Sequence, residues 1–393
     1  MNSNTRNVSL LVGCQAMLVA TAITLVALNG LAGLILAPVK SLATLPITCW
    51  VIGAAIATFP ASLLMKRVGR VRGFDVGNAI GVIGALVCAS GLWLGNFWLL
   101  CAGTLIFGAY NGIGQYYRFA AAEVAAPENR ANSISWVLAG GLAGAVIGPL
   151  LSRYTVDALE PRYLGAYLGT ILFLLAASAL LRLVRIPLPT AEERTAKGRP
   201  LLVIAREPKF IVAVVGSAIG YAVMNFLMTA TPLAMEVCGH PFDATAAVIS
   251  AHAVGMMAPS FVTGTLIKRF GILPIMFVGA LLNVIAIVVA LAGIEVAHFG
   301  LSLLLVGVGW NFLFIGGTTL LTECCRPEER AKVQGANDLT VFVLQALSSL
   351  ASGVIVTHAG WEKVNLSALA PVVVVALAIG WLAWRDRAAR VAA

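Results

Sequence analysis

Runs of about 20 apolar residues recur from Val8 to Leu382 with only short polar breaks between them, and a helix of that length just crosses the hydrocarbon core of a bilayer. No water-soluble fold hides so much apolar surface. Hydrophobic residues make up 60% of the 393 and charged ones only 11%, and the mean hydropathy is +0.94, far from soluble averages. The runs place helices near 8–36, 42–64, 75–94, 97–122, 132–152, 163–184, 210–233, 244–266, 272–293, 297–321, 335–357 and 364–384. Only Arg6 precedes the first run, and no small-residue cleavage site follows it. It is therefore expected to be a retained helix and not a signal peptide.

The net charge of +9 raises nucleic acid as a partner, but the basic residues sit in alternate loops and not on one face. Membrane topology explains them better. With both termini inside, the cytoplasmic segments hold Lys66, Arg67, Arg70 and Arg72, then Arg130, Arg182 to Lys209, Lys268 and Arg269, Arg326 to Lys332, and Arg385 to Arg390. The outer loops hold Lys40, Arg153, Arg162 and Lys363. Such a bias predicts an even number of spans, cytoplasmic ends and a plasma (inner) membrane location. The seven cysteines have no metal-binding or CxxC spacing, so neither a disulfide framework nor a metal cofactor is expected.

The chain also repeats itself. Tyr110-Asn111 followed by Glu123, Pro127-Glu128 and Arg130-Ala131 returns 200 residues later as Trp310-Asn311, Glu323, Pro327-Glu328 and Arg330-Ala331. Leu64, Lys66-Arg67 and Gly69 return as Leu266, Lys268-Arg269 and Gly271. Two copies of a six-helix unit, 1–186 and 208–393, are expected to flank a proline- and charge-rich cytoplasmic linker at 187–207.

A 6+6 pattern with a basic, glycine-containing loop after helix 2 and again after helix 8 resembles the major facilitator superfamily over essentially the whole chain. The resemblance implies an all-α membrane protein of 12 spanning helices whose halves give alternating access to a central site. The family's loop signature begins with Gly and carries an Asp before the Arg. Here Ser62 replaces the first glycine, Gly264 keeps it in the second copy, and Lys66 and Lys268 stand in place of the Asp. Another latch is then expected: Glu123 and Glu323, at the cytoplasmic ends of helices 4 and 10, facing Lys66/Arg67 and Lys268/Arg269 beside Arg130 and Arg330. Helix-end charge solvated by headgroups gives the same pattern. Gly144 to Pro149 resembles the core of an antiporter motif, although small residues four apart also serve plain helix packing.

Polar groups inside spans are costly and mark candidate sites. Arg118 lies five residues before Glu123, about 8 Å inward of that end, and is read as an anion-binding or gating charge or as a partner of Glu123. His252 is the histidine well inside a span, and with Asp338 it forms the candidate proton relay. Asn111 and Asn311, about 18 Å inward of the paired glutamates, are either a central site or interhelical glue. With Tyr110, Gln115, Trp310, Gln15, Trp50, Tyr221, Asn225 and Gln345 they make the expected substrate-binding set, suited to a flat or amphipathic organic solute.

No HExxH, GxSxG or Cys/His cluster suggests an enzyme, and no filter sequence suggests a channel. Because no carboxylate lies at mid-span, the expected cargo is neutral or anionic, an aromatic or vitamin-like nutrient, moved by a monomeric secondary transporter with protons as candidate coupling ion. A drug or metabolite efflux antiporter and a non-transporting sensor are the alternatives.

Overall fold

The computed structural model describes residues 3–39, 42–188, 190 and 198–391. Lys40, counted among the outer charges, and linker residues 189 and 191–197 lie outside them. Among the described residues the chain is helical throughout, with no strand. Among the described residues eleven helices are long and apolar enough to span a membrane. One of them, 62 residues long, turns at Gly360 (φ 78°) and so supplies two spans. The helices are α1 Ser3–Leu36, α2 Leu45–Val68, α3 Arg70–Trp93, α4 Phe97–Val124, α5 Arg130–Thr155, α6 Leu164–Leu181, α7 Pro208–Val237, α8 Phe242–Met257 continued by Ser260–Phe270, α9 Ile272–Ala292, α10 Val296–Glu323, α11 330–359 and α12 361–391.

Local chemistry sets the ends. Asn96 caps α4 by accepting from the Leu99 N–H at 3.0 Å. The repeat glycines Gly69 and Gly271 end α2 and α8 at φ 90°, ψ 162° and φ 92°, ψ 163°, a region that only glycine enters without strain. The sequence repeat is thus also a repeat of backbone shape.

Three expected helices are interrupted. α4 breaks at Gln115 and Tyr116, after the glycine-rich stretch ending at Gly114. α7 widens into a π turn at Val215–Ile219. α8 breaks at Ala258 and Pro259, because proline has no N–H to return to the preceding turn. The motif from Gly144 to Pro149 is explained by packing. A Cβ on Gly140, Gly144 or Gly148 would lie 2.5, 2.3 or 2.6 Å from the carbonyls of Val12, Ala16 or Ala20, so the glycine stripe lets α5 and α1 touch backbone to backbone.

The chain forms two compact units that do not follow its halves. The first comprises Met1–Ala126, Trp136–Lys197 and Pro327–Phe342, and the second Pro127–Ser135, Gly198–Arg326 and Val343–Ala393. The start of α11 thus belongs with the first unit and the start of α5 with the second. Outward-facing side chains such as Ile56, Val146, Leu350 and Leu377 are large, apolar and exposed, as a lipid-facing surface requires.

Candidate functional site

In the first unit the break in α4 opens a short segment, Tyr117–Val124, that carries a buried charge, Arg118, near one end and a partly exposed one, Glu123, near the other. Arg118 is 1% exposed and Asp338, on α11, 2%, and Nη2 of the arginine lies 2.5 Å from Oδ1 of the aspartate. Arg118 Nη1 also donates to the carbonyl and Oε1 of Gln115 at 2.8 and 3.2 Å. Asn337 Nδ2 donates to Asp338 Oδ1 at 2.8 Å. Five residues along, Glu123 accepts from Arg70 through both oxygens, at 3.0 and 2.6 Å. Arg70 reaches on to Gln334 Oε1 at 2.5 Å, and Gln334 sits one turn before Asp338 on α11. α4 therefore holds the start of α11 at two successive turns, once directly and once through Arg70.

This arrangement corrects the expected pairings. Glu123 is taken by Arg70, which offers a flat bidentate fork, where Lys66 and Arg67 were expected. Arg67 is exposed, while Lys66, Arg70, Glu123 and Arg330 line one cleft of about 310 Å³. Arg118 bonds a carboxylate other than Glu123. In the second unit Glu323 faces Lys209 at 3.5 Å on an exposed surface in place of Lys268 or Arg269. Lys268 donates to Asn129 Oδ1 at 3.3 Å, and Arg269 lies over Phe270. Arg130 opens α5.

Asn311 is glue. Its Nδ2 donates to the Met256 carbonyl at 2.7 Å and to Ser260 Oγ at 2.6 Å, and its Oδ1 accepts from Thr263 at 2.7 Å. Both amide hydrogens are thus engaged in closing the break that Pro259 makes in α8, and one lone pair of Oδ1 is taken by Thr263. The Tyr110 ring fills the space beside Gly81 and Leu174, and its buried hydroxyl has no hydrogen-bond partner. Gln115 serves Arg118. Asn111 and Gln15 are buried, and α4 comes so close to α2 that a Cβ on Gly108 would stand 2.0 Å from the Trp50 carbonyl. His252 is 1% exposed, and its Nδ1–H donates to the Leu303 carbonyl at 2.7 Å. That bond fixes the tautomer, leaving Nε2 without a proton and without a partner.

The remaining expected residues gather in the second unit. Trp310 stacks on Phe314 at 5.0 Å and 15°, and Tyr221 meets both edge-on at 5.4 and 5.5 Å. One turn beyond Tyr221, Asn225 Nδ2 donates to the Gln345 carbonyl and to Ser348 Oγ, each at 3.1 Å. Phe314, one turn after Trp310, was visible as helical spacing. Arg70 was visible only as one loop charge among four, and Gln334 and Ser348 carried no signal, because their partners are far away in sequence.

Long apolar spans, a buried ion pair and a polar, aromatic cluster inside a bundle together mark a multi-pass membrane protein. The family model of the Major Facilitator Superfamily matches residues 8–337 and 215–393, and the chain belongs to that superfamily. It is 38% identical over 365 residues to the riboflavin transporter RfnT of Brucella anthropi, covering 92% of this chain and 91% of that one. It is 30% identical over 341 residues to YdeG of Bacillus subtilis, an uncharacterized transporter of the same type, covering 82% and 79%. Among solved structures it resembles the human organic anion transporter MFSD10 (TM-score 0.77, 14% identity, 96% of this chain and 100% of that one). A bacterial homologue of the iron transporter ferroportin in an outward-facing state gives TM-score 0.76 at 16% identity, covering 98% and 100%. At those identities the two structures speak for the fold alone.

Proposed function

We propose that this protein is a secondary transporter that carries riboflavin, or a vitamin of the same flat aromatic kind, across the plasma membrane by alternating access of its two six-helix halves. The observation that carries the reading is the 38% identity, over nine-tenths of both chains, to a protein named a riboflavin transporter. Geometry supports it. The cluster of Tyr221, Trp310 and Phe314 with Asn225 and Gln345 offers ring faces for stacking and amides for orientation, which is what a flat heteroaromatic solute needs. Arg118 spends its charge on Asp338, so a neutral cargo is favoured over an anionic one.

In this reading both termini are cytoplasmic, and the two links from α4 to α11 form the latch that must part when the cytoplasmic side opens. Asp338 is the proton acceptor that loosens it, since a neutral Asp338 no longer holds Arg118 by charge. His252, its Nδ1–H committed to Leu303, orders the α8–α10 contact instead.

A riboflavin-auxotrophic bacterium that grows only on high external vitamin tests the reading. Expression of this protein should let it grow on low riboflavin, and labelled riboflavin should enter those cells. Failure of both, with the protein present in the membrane, overturns the reading. Loss of vitamin from loaded cells would reverse the direction and favour efflux.

A further inference from the structure

Among the buried polar atoms of the second unit that have no hydrogen-bond partner are the indole Nε1 of Trp310 and the amide Oε1 of Gln345. Leaving such a group unmet is costly, and Trp310 is only 3% exposed. One is a donor that cannot accept and the other an acceptor that cannot donate. Both stand around the same stretch of α7. Trp310 meets Tyr221 at 5.4 Å, and Asn225, one turn on, grips the Gln345 carbonyl and Ser348. That grip fixes α11 at Gln345, and the stacked rings of Trp310 and Phe314 supply a flat apolar surface on α10.

We infer that this cluster recognises an imide edge, –C(=O)–NH–C(=O)–, on a flat ring. Gln345 Oε1 accepts the imide N–H, and Trp310 Nε1 donates to a flanking carbonyl. An imide presents acceptor, donor and acceptor in one rigid plane, so it satisfies both orphaned atoms without bringing charge into the bundle. A carboxylate has no N–H for Gln345, and an ammonium has no acceptor for Trp310. The inference rests on the riboflavin reading, because the pyrimidinedione end of the flavin ring carries this edge.

The test compares uptake of riboflavin and N3-methylriboflavin into proteoliposomes holding the full-length protein, at concentrations below saturation. Methylation removes the one N–H that Gln345 would accept and changes the ring little. Wild type should move riboflavin at least tenfold faster than the methylated flavin. Gln345→Met, similar in shape but without the acceptor, should move both at the slower rate, and Trp310→Phe should raise KM for riboflavin several-fold with kcat nearly unchanged. Equal rates for the two flavins in wild type, or a Gln345→Met protein that keeps the tenfold preference, overturn the imide assignment and leave riboflavin transport standing. Uptake of neither flavin by wild type overturns the transport reading, and the imide assignment with it.

Discussion

The two places where a helix start crosses into the other half of the sequence are built on one plan but held by different forces. In the first unit the start of α11 passes α2 at Ser62, where a Cβ on Gly335 would stand 2.6 Å from the serine Oγ. In the second the start of α5 passes α8 at Gly264, whose own Cβ would stand 2.5 Å from the Asn132 Cα. Ser62 and Gly264 are repeat-related, and each crossing needs a small residue on one side. The glue then differs. The first crossing is charged, with Arg118, Asp338, Arg70, Glu123 and Gln334. The buried bonds of the second are neutral: Ser135 Oγ donates to the Ser260 carbonyl and accepts the Gly264 N–H at 3.0 Å, and Lys268 reaches Asn129 at its exposed edge. In the repeat Arg118 corresponds to Thr318 and Asp338 to Leu138. Duplication therefore supplied the backbone fit twice, and the buried Arg118–Asp338 pair was placed in one copy only. A neutral crossing parts with little penalty, whereas a buried ion pair parts only if its charges are met or neutralised.

Breaking the charged crossing should cost most. Asp338→Ala leaves Arg118 buried and unmet, and should lower stability by about 3–5 kcal/mol, read as a fall in melting temperature of the detergent-solubilised protein. The double variant Arg118→Ala/Asp338→Ala should be the more stable of the two, and an additive loss would show that the charges do not act as a pair. Arg70→Ala frees Glu123, which keeps some access to water, so the expected loss is smaller, about 2 kcal/mol. At the neutral crossing, Gly264→Ala presses a methyl group onto the α5 backbone and should cost about 1–3 kcal/mol. Ser135→Ala removes one donor and one acceptor and should cost about 1 kcal/mol with transport retained. A Ser135→Ala protein as damaged as Asp338→Ala would erase the contrast between the crossings.

The same contrast shows what the sequence could and could not reveal. Twelve spans, the duplication and the glycine turns at Gly69 and Gly271 were legible, because hydrophobic length, repeated letters and the left-handed glycine conformation are local properties. The residues near the sites were also legible: Arg118, Asp338, Trp310, Asn225 and Gln345 stand out as polar or aromatic groups in lipid-spanning runs. Their partners were not. Asp338 lies 220 residues from Arg118, and its depth in the bundle depends on how α11 packs on α4, which no spacing encodes. Asn311 looked central and repeated, yet its task is set by Pro259, 52 positions away, whose break in α8 left a carbonyl to be satisfied.

The most direct test places purified wild-type and Asp338→Asn proteins in proteoliposomes and follows labelled riboflavin with and without an inward proton gradient. The account predicts that the gradient drives accumulation by wild type. Asp338→Asn, with Arg118 permanently released from its counter-charge, should exchange riboflavin across the membrane but gain nothing from the gradient. Accumulation by Asp338→Asn equal to that of wild type would contradict the account, because the proton gradient would then drive transport through a group other than Asp338.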